Sequence, residues 1–474
     1  MSVNTVAIKN PEESQVLGEI EATEPGDVDG IVAFGVAARR DWSSRPVAER
    51  AAMLDRAADL LEVERPELGP LLAAESGKPL AQAEFEVGGG IHFLRGNADE
   101  GRRLAGRILP TEGNTGTEWD LAYTRREPLG VVAAILPFNF PVELFVEKCA
   151  AALVGGNAVV VKPPIEAPLV VERFRLALIE AGVPEAVMQA VHGGADVGAA
   201  LASADGIDAV SLTGSTGAGI AVARATAETL RFLHLELGGN NACLVLDDAD
   251  LDLVADEAVK GRMMMNGQAC SASKRIVVHN SVHDQLAERL AAAVERQVVG
   301  PATDPDSTIG PLIHAAAASR VADQVANAAG QGAGIAAGDG RAEGPYFGPT
   351  LLAGVPSTAD VARDDEIFGP VFNLIPVDGE AQAIEVANSS SFGLMASVFS
   401  ADPQRALGVA EVLQSGGVVI NGTDNYRPPV IPFGGVKLSG RGVEGIGYTL
   451  EEMTREKTIV FRRFRAGLER PGAE

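Results

Sequence analysis

From residue 130 to residue 219, short apolar runs alternate with amphipathic segments and glycine-rich turns. The strand-like runs are 130–136, 158–162, 188–191 and 209–212. Strands separated by helices need crossover connections, so this rhythm predicts a parallel sheet with helices on its faces. A doubly wound sheet of this kind binds nucleotides at the carboxyl ends of its strands. The expected fold class is α/β, with a nucleotide-binding domain built on that sheet.

A second α/β block extends from about residue 239 to about residue 437. A chain of 474 residues is too long for one ordinary core, which agrees with two or three domains. Two strand-like segments, 118–126 and 454–464, have no partner nearby in the sequence, so we expect an arm that pairs with another subunit. The arm predicts a homodimer or a homotetramer. The predicted domains are a nucleotide-binding domain of residues 1–112 and 129–238, an α/β catalytic domain of residues 239–449, and an oligomerisation arm of residues 113–128 and 450–474.

Composition and charge argue against several classes of protein. No segment approaches the roughly 20 consecutive apolar residues that a membrane span needs, and the N-terminus lacks the pattern of a secretory signal. The formal net charge of −25 disfavours nucleic acids and anionic membranes as partners, and it also serves solubility. Three cysteines are too few and too dispersed for a disulfide framework or a zinc site. These features predict a cytoplasmic protein without a metal centre.

Cys270 and Glu236 are the first candidates for catalysis. Cys270 follows a glycine turn in NGQACS, where small neighbours leave a thiol accessible to a carbonyl carbon. A helix N-terminus or a cation would lower its pKa, whereas a lone cysteine is more often buried filler, as we expect for Cys149 and Cys243. Glu236 lies in the apolar run FLHLEL, where burial raises the pKa of a carboxyl group and suits it to act as a general base. The alternative for Glu236 is a strand-end carboxylate bonded to neighbouring amides.

Loops that follow strands are candidates for binding an oxyanion and a phosphate. Asn139 lies between two prolines in PFNFP, which hold its amide in place as an oxyanion donor, unless it merely caps the turn. Lys162 opens the loop KPP, and Gly214 and Ser215 belong to the loop TGSTGAG. Each of these two loops precedes a helix, whose first N–H groups favour a phosphate. Neither loop has the G-x-G-x-x-G pattern, so the loops alone are weak evidence.

The order of these motifs along the chain resembles that of the aldehyde dehydrogenase superfamily. The matching motifs are PFNFP with Asn139, VVVKPP with Lys162, LTGSTGAG, ELGGN with Glu236, NGQAC with Cys270, DEIFGPV with Glu366, and PFGGVKLSG. The resemblance extends over nearly the whole chain, from NPEES near the N-terminus through ESGKP to the tail. It implies a doubly wound cofactor domain, an α/β catalytic domain and a small β arm for oligomerisation.

The resemblance also implies an oxidoreductase that converts an aldehyde to a carboxylic acid with NAD(P)+. Cys270 resembles the nucleophile that forms a thiohemiacetal and, after hydride transfer, a thioester. Glu236 resembles the base that activates the water that hydrolyses this thioester. The Asn139 amide and the Cys270 backbone N–H resemble the oxyanion hole.

Further implied roles concern the cofactor and the substrate. Lys162 resembles the lysine that binds the adenosine ribose, Ser215 a pyrophosphate contact, and Glu366 the acid that binds the nicotinamide ribose. The full set of expected cofactor contacts is Pro137, Phe138, Lys162, Ile165, Gly214, Ser215, Glu366 and Phe368. The residues expected at the substrate or in a proton relay are Leu144, Lys148, Arg427 and Glu444.

This sequence departs from the family pattern at several positions. Ile165 stands where many NAD+-preferring members carry Glu, so it neither binds ribose hydroxyls nor repels a 2′-phosphate, while Asp196 restores some repulsion. We therefore expect use of both NADP+ and NAD+, with NADP+ favoured. Val443 replaces the arginine of a common GREG motif, which leaves the partner of Glu444 open.

Arg427 bears on the choice of aldehyde. It lies in NYRPPVIPFGG, which resembles the loop at the mouth of the substrate tunnel in members that act on small oxygenated or acidic aldehydes, such as lactaldehyde and succinate semialdehyde. Its guanidinium either binds a substrate carboxylate or pairs with Asp424 or a neighbouring subunit. Leu144, Phe145 and Met265 are expected to make the rest of the tunnel apolar.

Two alternative functions are weighed against hydrolytic oxidation. A CoA-acylating member passes its acyl group to a thiol instead of water, but such enzymes lack the ELGG-type base that Glu236 provides here. A catalytically inactive structural or binding protein on the same scaffold has no reason to retain Cys270, Glu236 and Asn139 together. Hydrolytic oxidation is therefore the favoured hypothesis.

Overall fold

A computed structural model describes residues 4–464 of the chain. Two large sheets, each mostly parallel, and one small antiparallel sheet form the framework. Helices cover both large sheets, so the predicted α/β fold class is confirmed. Within the described residues, no helix combines the length and the apolar character that crossing a membrane requires.

The first sheet has six strands, and its five longer strands run parallel. All the strand-like runs predicted between residues 130 and 212 are found here. Its apolar strands are buried on both faces, as expected for a sheet covered by helices. In spatial order the strands are Gly440–Arg441, Phe232–Glu236, Ala209–Thr213, Val131–Ile135, Ala158–Lys162 and Met188–Ala190.

The helices of this half of the molecule pack around the first sheet in one large apolar core. The pattern over 27–63 forms two helices, and the second continues to Ser76, where Gly77 ends it with a φ of 77°. The helix predicted at 142–153 contains a widened turn, Val146–Ala150. The helices are Val28–Ser44, Val47–Ser76, Leu80–Arg103, Pro141–Phe145, Ala151–Gly155, Leu169–Glu180, Ala195–Ser203 and Thr216–Thr226.

The second sheet has seven strands, of which only the edge strand Gly334–Ala337 is antiparallel. Separate apolar cores lie on its two faces. Its spatial order is Gly334–Ala337, Thr350–Ala353, Val371–Val377, Arg275–His279, Ala242–Val245, Met395–Phe399 and Gly417–Ile420. Its helices are Leu251–Met263, Asn280–Glu295, Ala315–Gly330, Glu380–Asn388 and Pro403–Ala410, and Tyr448–Glu452 follows near the end of the chain.

The two segments predicted as an arm are partners of each other. Thr454–Phe461 pairs antiparallel with Leu121–Pro128 along its whole length, and Ile108–Leu109 adds a short third strand. Residues 465–474 of the predicted arm lie outside the described residues. The remaining two-stranded pairs are Thr5–Lys9 with Val16–Glu21, Ala342–Glu343 with Tyr346–Phe347, and Phe392–Gly393 with Val436–Lys437.

One segment of the predicted catalytic domain returns to the first sheet. Gly440 and Arg441 pair antiparallel with Glu236 and Leu235, so the end of the stretch 239–449 borders the strand of the candidate base. This return crosses the boundary predicted at residue 239. The domain boundaries themselves stay a prediction.

Candidate active site

Strands of the first sheet deliver candidate residues to a common edge. Glu236 ends its strand, Lys162 ends another, and Asn139 lies four residues after the end of Val131–Ile135. Because these strands are parallel, their carboxyl ends meet at the same side of the sheet. The local fold therefore brings together groups that are up to about a hundred residues apart in sequence.

The turn before Cys270 has an unusual backbone. Met265, Asn266 and Gly267 all have positive φ, at 50°, 56° and 79°. The Asn266 side chain holds this turn in place, since it donates to Gly77 O at 2.8 Å and Pro311 O at 2.9 Å and accepts the Gly310 N–H at 2.8 Å. Strained left-handed residues persist where the surroundings determine them, often at active sites. Among the described residues, no helix begins at Cys270, so the cysteine is not itself at a helix N-terminus.

The Asn139 amide lies against this turn. Its Nδ2 donates to Gln268 O at 2.9 Å, two residues before Cys270, and its Oδ1 accepts the Phe140 N–H at 3.0 Å. The bond to Gln268 uses one of the two Nδ2 hydrogens, so a second donor remains. The structure thus brings Asn139 and the nucleophile turn together, as an oxyanion hole requires.

Glu236 is buried beside Cys270, and its carboxylate is within hydrogen-bonding reach of the thiol. Its Oε1 is buried and has no hydrogen-bond partner among the described residues, so the alternative of a carboxylate bonded to neighbouring amides is not supported. Burial, and then the charge of Glu444, raises the pKa of Glu236 to about 8. Cys270 is partly exposed, while Cys149 and Cys243 are buried. Burial and the neighbouring Glu236 raise the pKa of the Cys270 thiol.

Lys148 and Arg427 hold Glu444 between them. Lys148 Nζ lies 2.6 Å from Glu444 Oε1, and Arg427 Nη2 lies 2.8 Å from Oε2. Burial works against the charged carboxylate, yet the two cations lower the pKa of Glu444 to about 2. Arg427 thus supplies the guanidinium partner of Glu444 that the valine at 443 does not. The alternative pairing of Arg427 with Asp424 is wrong, because Asp424 is buried and accepts the Ser273 hydroxyl.

Two glutamates in this cluster were missed by the sequence analysis. Glu143 Oε1 lies 3.5 Å and Glu147 Oε2 lies 3.7 Å from the Arg427 guanidinium. Burial raises the pKa of both carboxyl groups. The sequence contained a sign of this pair, because two carboxylates four residues apart in the apolar segment VELFVEK share one face of the helix that follows Asn139. This wall of the site is therefore charged, contrary to the apolar lining expected.

The apolar residues expected to line the tunnel point elsewhere or are deeply buried. The Phe145 ring packs edge-on against Phe174, with centroids 6.3 Å apart, inside the core of the first sheet. Met265 is fully buried, and Leu144 is almost so. Phe433, Leu394 and Met395 are instead the apolar residues clustered with Cys270.

The loop after Ala209–Thr213 fits an anionic group. Ser215 caps the helix Thr216–Thr226 by accepting the Ala218 N–H at 3.2 Å. A Cβ atom on Gly214 would meet the Leu212 side chain at 3.6 Å, an ordinary van der Waals distance, so no backbone atom crowds this turn. The buried Oγ1 of Thr213 has no hydrogen-bond partner among the described residues. These features suit the pyrophosphate of a dinucleotide at the helix N-terminus.

Lys162 lies further along the same sheet edge, in a partly acidic environment. Its Nζ donates to Pro163 O at 3.3 Å, and burial lowers its pKa while the charges of Glu166 and Asp196 act in the opposite direction. Asp196 was expected here, whereas Glu166 was not. Ile165, which lies between Lys162 and Glu166 in the sequence, is partly buried.

Glu366 borders a pocket that Gln268 of the nucleophile turn also lines. The Phe138 and Phe368 rings pack edge-on in this pocket, with centroids 6.1 Å apart, and Gln268 and Arg320 are also among the residues that line it. Glu366 Oε1 accepts the Gly239 N–H at 3.2 Å and lies 2.8 Å from Lys274 Nζ. Gln268, two residues before the nucleophile Cys270, thus lines the same pocket as Glu366.

Known proteins resemble this chain over nearly its whole length. The model of the aldehyde dehydrogenase family matches residues 1–459. The NADP-dependent glyceraldehyde-3-phosphate dehydrogenase of Streptococcus equinus is 36% identical over 97% of this chain and 96% of its own. The crystal structure of the NADP-dependent glyceraldehyde-3-phosphate dehydrogenase of Bacillus halodurans C-125, complexed with NADP, has a TM-score of 0.92 and 38% identity, covering 97% of this chain and 96% of that one. The crystal structure of succinate-semialdehyde dehydrogenase from Burkholderia pseudomallei has a TM-score of 0.93 and 35% identity, covering 97% and 95%.

Proposed function

The chain belongs to the aldehyde dehydrogenase family, and we propose that it oxidises its aldehyde to a carboxylic acid through a thioester on Cys270. The observation that carries this proposal is the placement of one thiol between a buried carboxylate and a fixed amide. Glu236 reaches the Cys270 thiol from the first sheet, and Asn139 bonds to the turn that presents it. A thiol in this setting is equipped for attack on a carbonyl carbon.

The first half of the reaction needs a thiolate and a stabilised oxyanion. The thiol of Cys270 gives its proton to water, and its sulfur attacks the aldehyde carbon, which forms the C–S bond of a thiohemiacetal and leaves the negative charge on the oxygen. The remaining Nδ2 hydrogen of Asn139 and the Cys270 backbone N–H stabilise the negative oxygen. NAD(P)+, when bound, would supply the acceptor for the hydride that leaves the adduct as the thioester forms.

The second half is hydrolysis, for which Glu236 is the base. Its raised pKa suits a group that takes a proton from water near neutral pH. Its Oε1, which has no hydrogen-bond partner among the described residues, provides the acceptor. The resulting hydroxide attacks the thioester carbon, the C–S bond breaks, and the proton held by Glu236 passes to the Cys270 sulfur as the carboxylic acid leaves. This base is the reason to favour water over CoA as the acyl acceptor.

The residues around the sheet edge support binding of either dinucleotide. Ser215, Gly214 and Thr213 would hold the pyrophosphate, and Lys162 the adenosine ribose. Lys162 favours a 2′-phosphate, while Glu166 and Asp196 oppose it. Two relatives are named NADP-dependent, and the chain lacks a carboxylate at Ile165. We therefore propose use of both cofactors with a lean to NADP+.

The charge of the site favours a small oxygenated aldehyde without a net charge. Arg427 and Lys148 are the cations of the cluster, and they are faced by Glu143, Glu147 and Glu444. The Lys148 ammonium group and the Arg427 guanidinium are both already paired with Glu444, so a substrate carboxylate would have to compete with that contact. An acidic aldehyde is the second candidate, because Arg427 keeps 16% of its side chain exposed and the named relatives act on anionic aldehydes.

The test is NAD(P)H formation from a panel of small aldehydes, measured with and without CoA and followed by identification of the product. We expect reduction of the cofactor without CoA, a carboxylic acid as product, and no turnover in Cys270→Ala. A requirement for CoA, with an acyl-CoA product, would favour the CoA-acylating alternative. Absence of turnover with every aldehyde would favour an inactive protein on this scaffold.

A further inference from the structure

Lys274 is a buried cation that the proposed chemistry does not use. It immediately precedes the strand Arg275–His279, and its side chain is fully buried. Its Nζ donates to Gly239 O at 2.5 Å, Ala269 O at 2.8 Å and Cys270 O at 2.7 Å. A buried ammonium group is strongly unfavourable without a counter-charge, so its position needs an explanation.

The counter-charge is Glu366, whose Oε1 lies 2.8 Å from Lys274 Nζ. The same oxygen accepts the Gly239 N–H at 3.2 Å, so the contact is fixed from two sides. Lys274 therefore connects the turn after the base, the turn of the nucleophile and the loop of Glu366. These segments are distant in sequence, and one ammonium group joins them.

Glu366 also reaches the pocket proposed for the nicotinamide end of the cofactor. Its side chain is 19% exposed and borders this pocket together with Phe138 and Phe368. Lys274 Nζ lies 5.7 Å from the centroid of the Phe368 ring, which lines this pocket, whereas Lys274 itself does not. The ammonium group is thus placed between the wall of the pocket and the backbone of Cys270.

We propose that Lys274 is a positioning residue that fixes the Glu366 carboxylate relative to the turn that carries Cys270. The cofactor bound by Glu366 is then correctly placed for reaction at the Cys270 sulfur. The inference rests on the proposed function, since it assigns Glu366 to the cofactor and Cys270 to the aldehyde. Positioning of this kind matters because small displacements of reacting groups cost large factors in rate. A flexible surface lysine would not achieve it, whereas one bonded to three carbonyls and a carboxylate does.

The positive charge has a second consequence for the thiol. The charged groups that act on Cys270 are Glu236, Lys274 and Arg427, with Glu444 behind Glu236. Burial and Glu236 raise the pKa of the thiol, whereas Lys274 and Arg427 oppose that rise. Loss of the Lys274 charge should therefore raise the pKa of the Cys270 thiol. Loss of the Glu366 charge, which partly neutralises Lys274, should lower that pKa.

The experiment is alkylation of Cys270 by iodoacetamide as a function of pH, on cofactor-free protein. Lys274→Met should shift the profile to higher pH, with alkylation at least about tenfold slower near neutral pH, the equivalent of one pKa unit. Glu366→Gln should shift it to lower pH, because the ammonium group then lacks its counter-charge. Both variants should weaken NADP+ binding in calorimetric titration. Lys274→Arg keeps the charge and should restore the alkylation profile.

Arg275→Met is the matched control. Arg275 is the next residue, is equally buried, and donates to Asn240 O, Ala362 O, Val386 O and Ala387 O, without contact to Cys270 or Glu366. It should lower the melting temperature and leave the alkylation profile unchanged.

A folded Lys274→Met variant whose alkylation profile and NADP+ affinity equal those of the wild type would overturn the proposal. If that variant does not fold, Glu366→Gln decides alone, and an unshifted profile contradicts the proposal. Both readouts are independent of turnover. Failure of the proposed function, in which no aldehyde is oxidised, therefore remains distinguishable.

Discussion

Burial acts on the two central ionisable groups in the same direction. It raises the pKa of both the Cys270 thiol and the Glu236 carboxyl group, although the reaction needs the ionised form of each. Lys274 and Arg427 oppose the rise at the Cys270 thiol, whereas the hydrogen bond with Cys270 and then the charges of Arg427 and Lys148 oppose it at Glu236. At the scale of single residues, the fraction of Cys270 and Glu236 that is ionised therefore depends on how far these interactions offset the cost of burying a charge away from water.

The pH dependence of thioester hydrolysis follows from Glu236. A general base acts in its ionised form, and the pKa of Glu236 is raised to about 8, so the hydrolysis rate should rise with pH through that value and level off above it. The steady-state rate after an initial burst of NAD(P)H measures this step. Glu236→Gln should keep the burst and slow hydrolysis on the order of 10²–10³-fold. Loss of the burst as well would mean that Glu236 acts earlier, in deprotonating Cys270.

Arg427 can be tested with two aldehydes that differ in charge. Succinate semialdehyde and its uncharged methyl ester have the same chain, so they report recognition of the carboxylate. Because the guanidinium is already held by Glu444, Arg427→Ala should lower kcat/KM about tenfold or more for both, as expected for loss of a charged hydrogen bond. Arg427→Lys, which keeps a charge, should restore part of the activity on both. A loss confined to the acid would instead assign Arg427 to the substrate carboxylate.

At the scale of elements, two irregular segments shape the site. The turn Met264–Gly267 contains left-handed residues that aim Cys270 toward the first sheet. The helix after Asn139 has a widened turn at Val146–Ala150, which carries Glu147 and Lys148 into the charged cluster. Widened turns of this kind recur at functional sites, because they redirect side chains that a regular helix would space evenly.

Gly267→Ala tests the nucleophile turn. Gly267 has a φ of 79°, and an added Cβ would lie 2.2 Å from backbone atoms of Gly369, which no side-chain movement relieves. We expect a loss of more than about 2 kcal/mol in the free energy of unfolding, together with loss of activity. Gly408→Ala is the control. It lies inside the helix Pro403–Ala410 with open space around it, so it should leave activity unchanged and stabilise by up to about 1 kcal/mol. Urea unfolding measures both, and equal stability of the two variants would contradict the argument.

At the scale of the whole molecule, the arm sheet leaves apolar surface uncovered. Val460, Phe461, Ile108 and Trp119 are about half exposed or more, and the ring of Phe461 stacks near Tyr123. Within residues 4–464, the strand Thr454–Phe461 is paired on one side only, so its other edge has no strand partner in that part of the chain. Exposed strand edges with apolar side chains are a hazard in an isolated chain. A second subunit is the simplest cover for them.

Truncation before residue 455 should therefore change the assembly. We expect the full chain to be a dimer or tetramer in size-exclusion chromatography with light scattering, and the truncated chain to be monomeric or aggregated. Phe461→Glu, which keeps the chain length and adds a charge to the exposed edge, should weaken assembly in the same direction. If the full chain is monomeric and the truncated chain is monomeric and active, the prediction that this arm mediates assembly is wrong.

The local pattern of the sequence was sufficient for the framework. The positions of Val131–Ile135, Ala158–Lys162 and Ala209–Thr213 followed from apolar periodicity, because a buried parallel strand must be apolar along its length. The motif resemblance confirmed here established the family and the reaction class. It also named Cys270, Glu236 and Asn139, and the structure brings these residues together, although their roles stay predictions.

Charge neighbours were decided only by the tertiary structure. Arg427 binds Glu444 rather than Asp424, and Lys274 binds Glu366, across separations that no periodic pattern encodes. Glu143 and Glu147 reach Arg427 because a helix and a loop from different parts of the chain meet there. Hydrophobic periodicity is a local property that a strand or helix expresses by itself. The partner of a buried charge depends on which distant segments the folded core places within a few ångströms, because an interaction between charges decays with distance in space and not with separation along the chain.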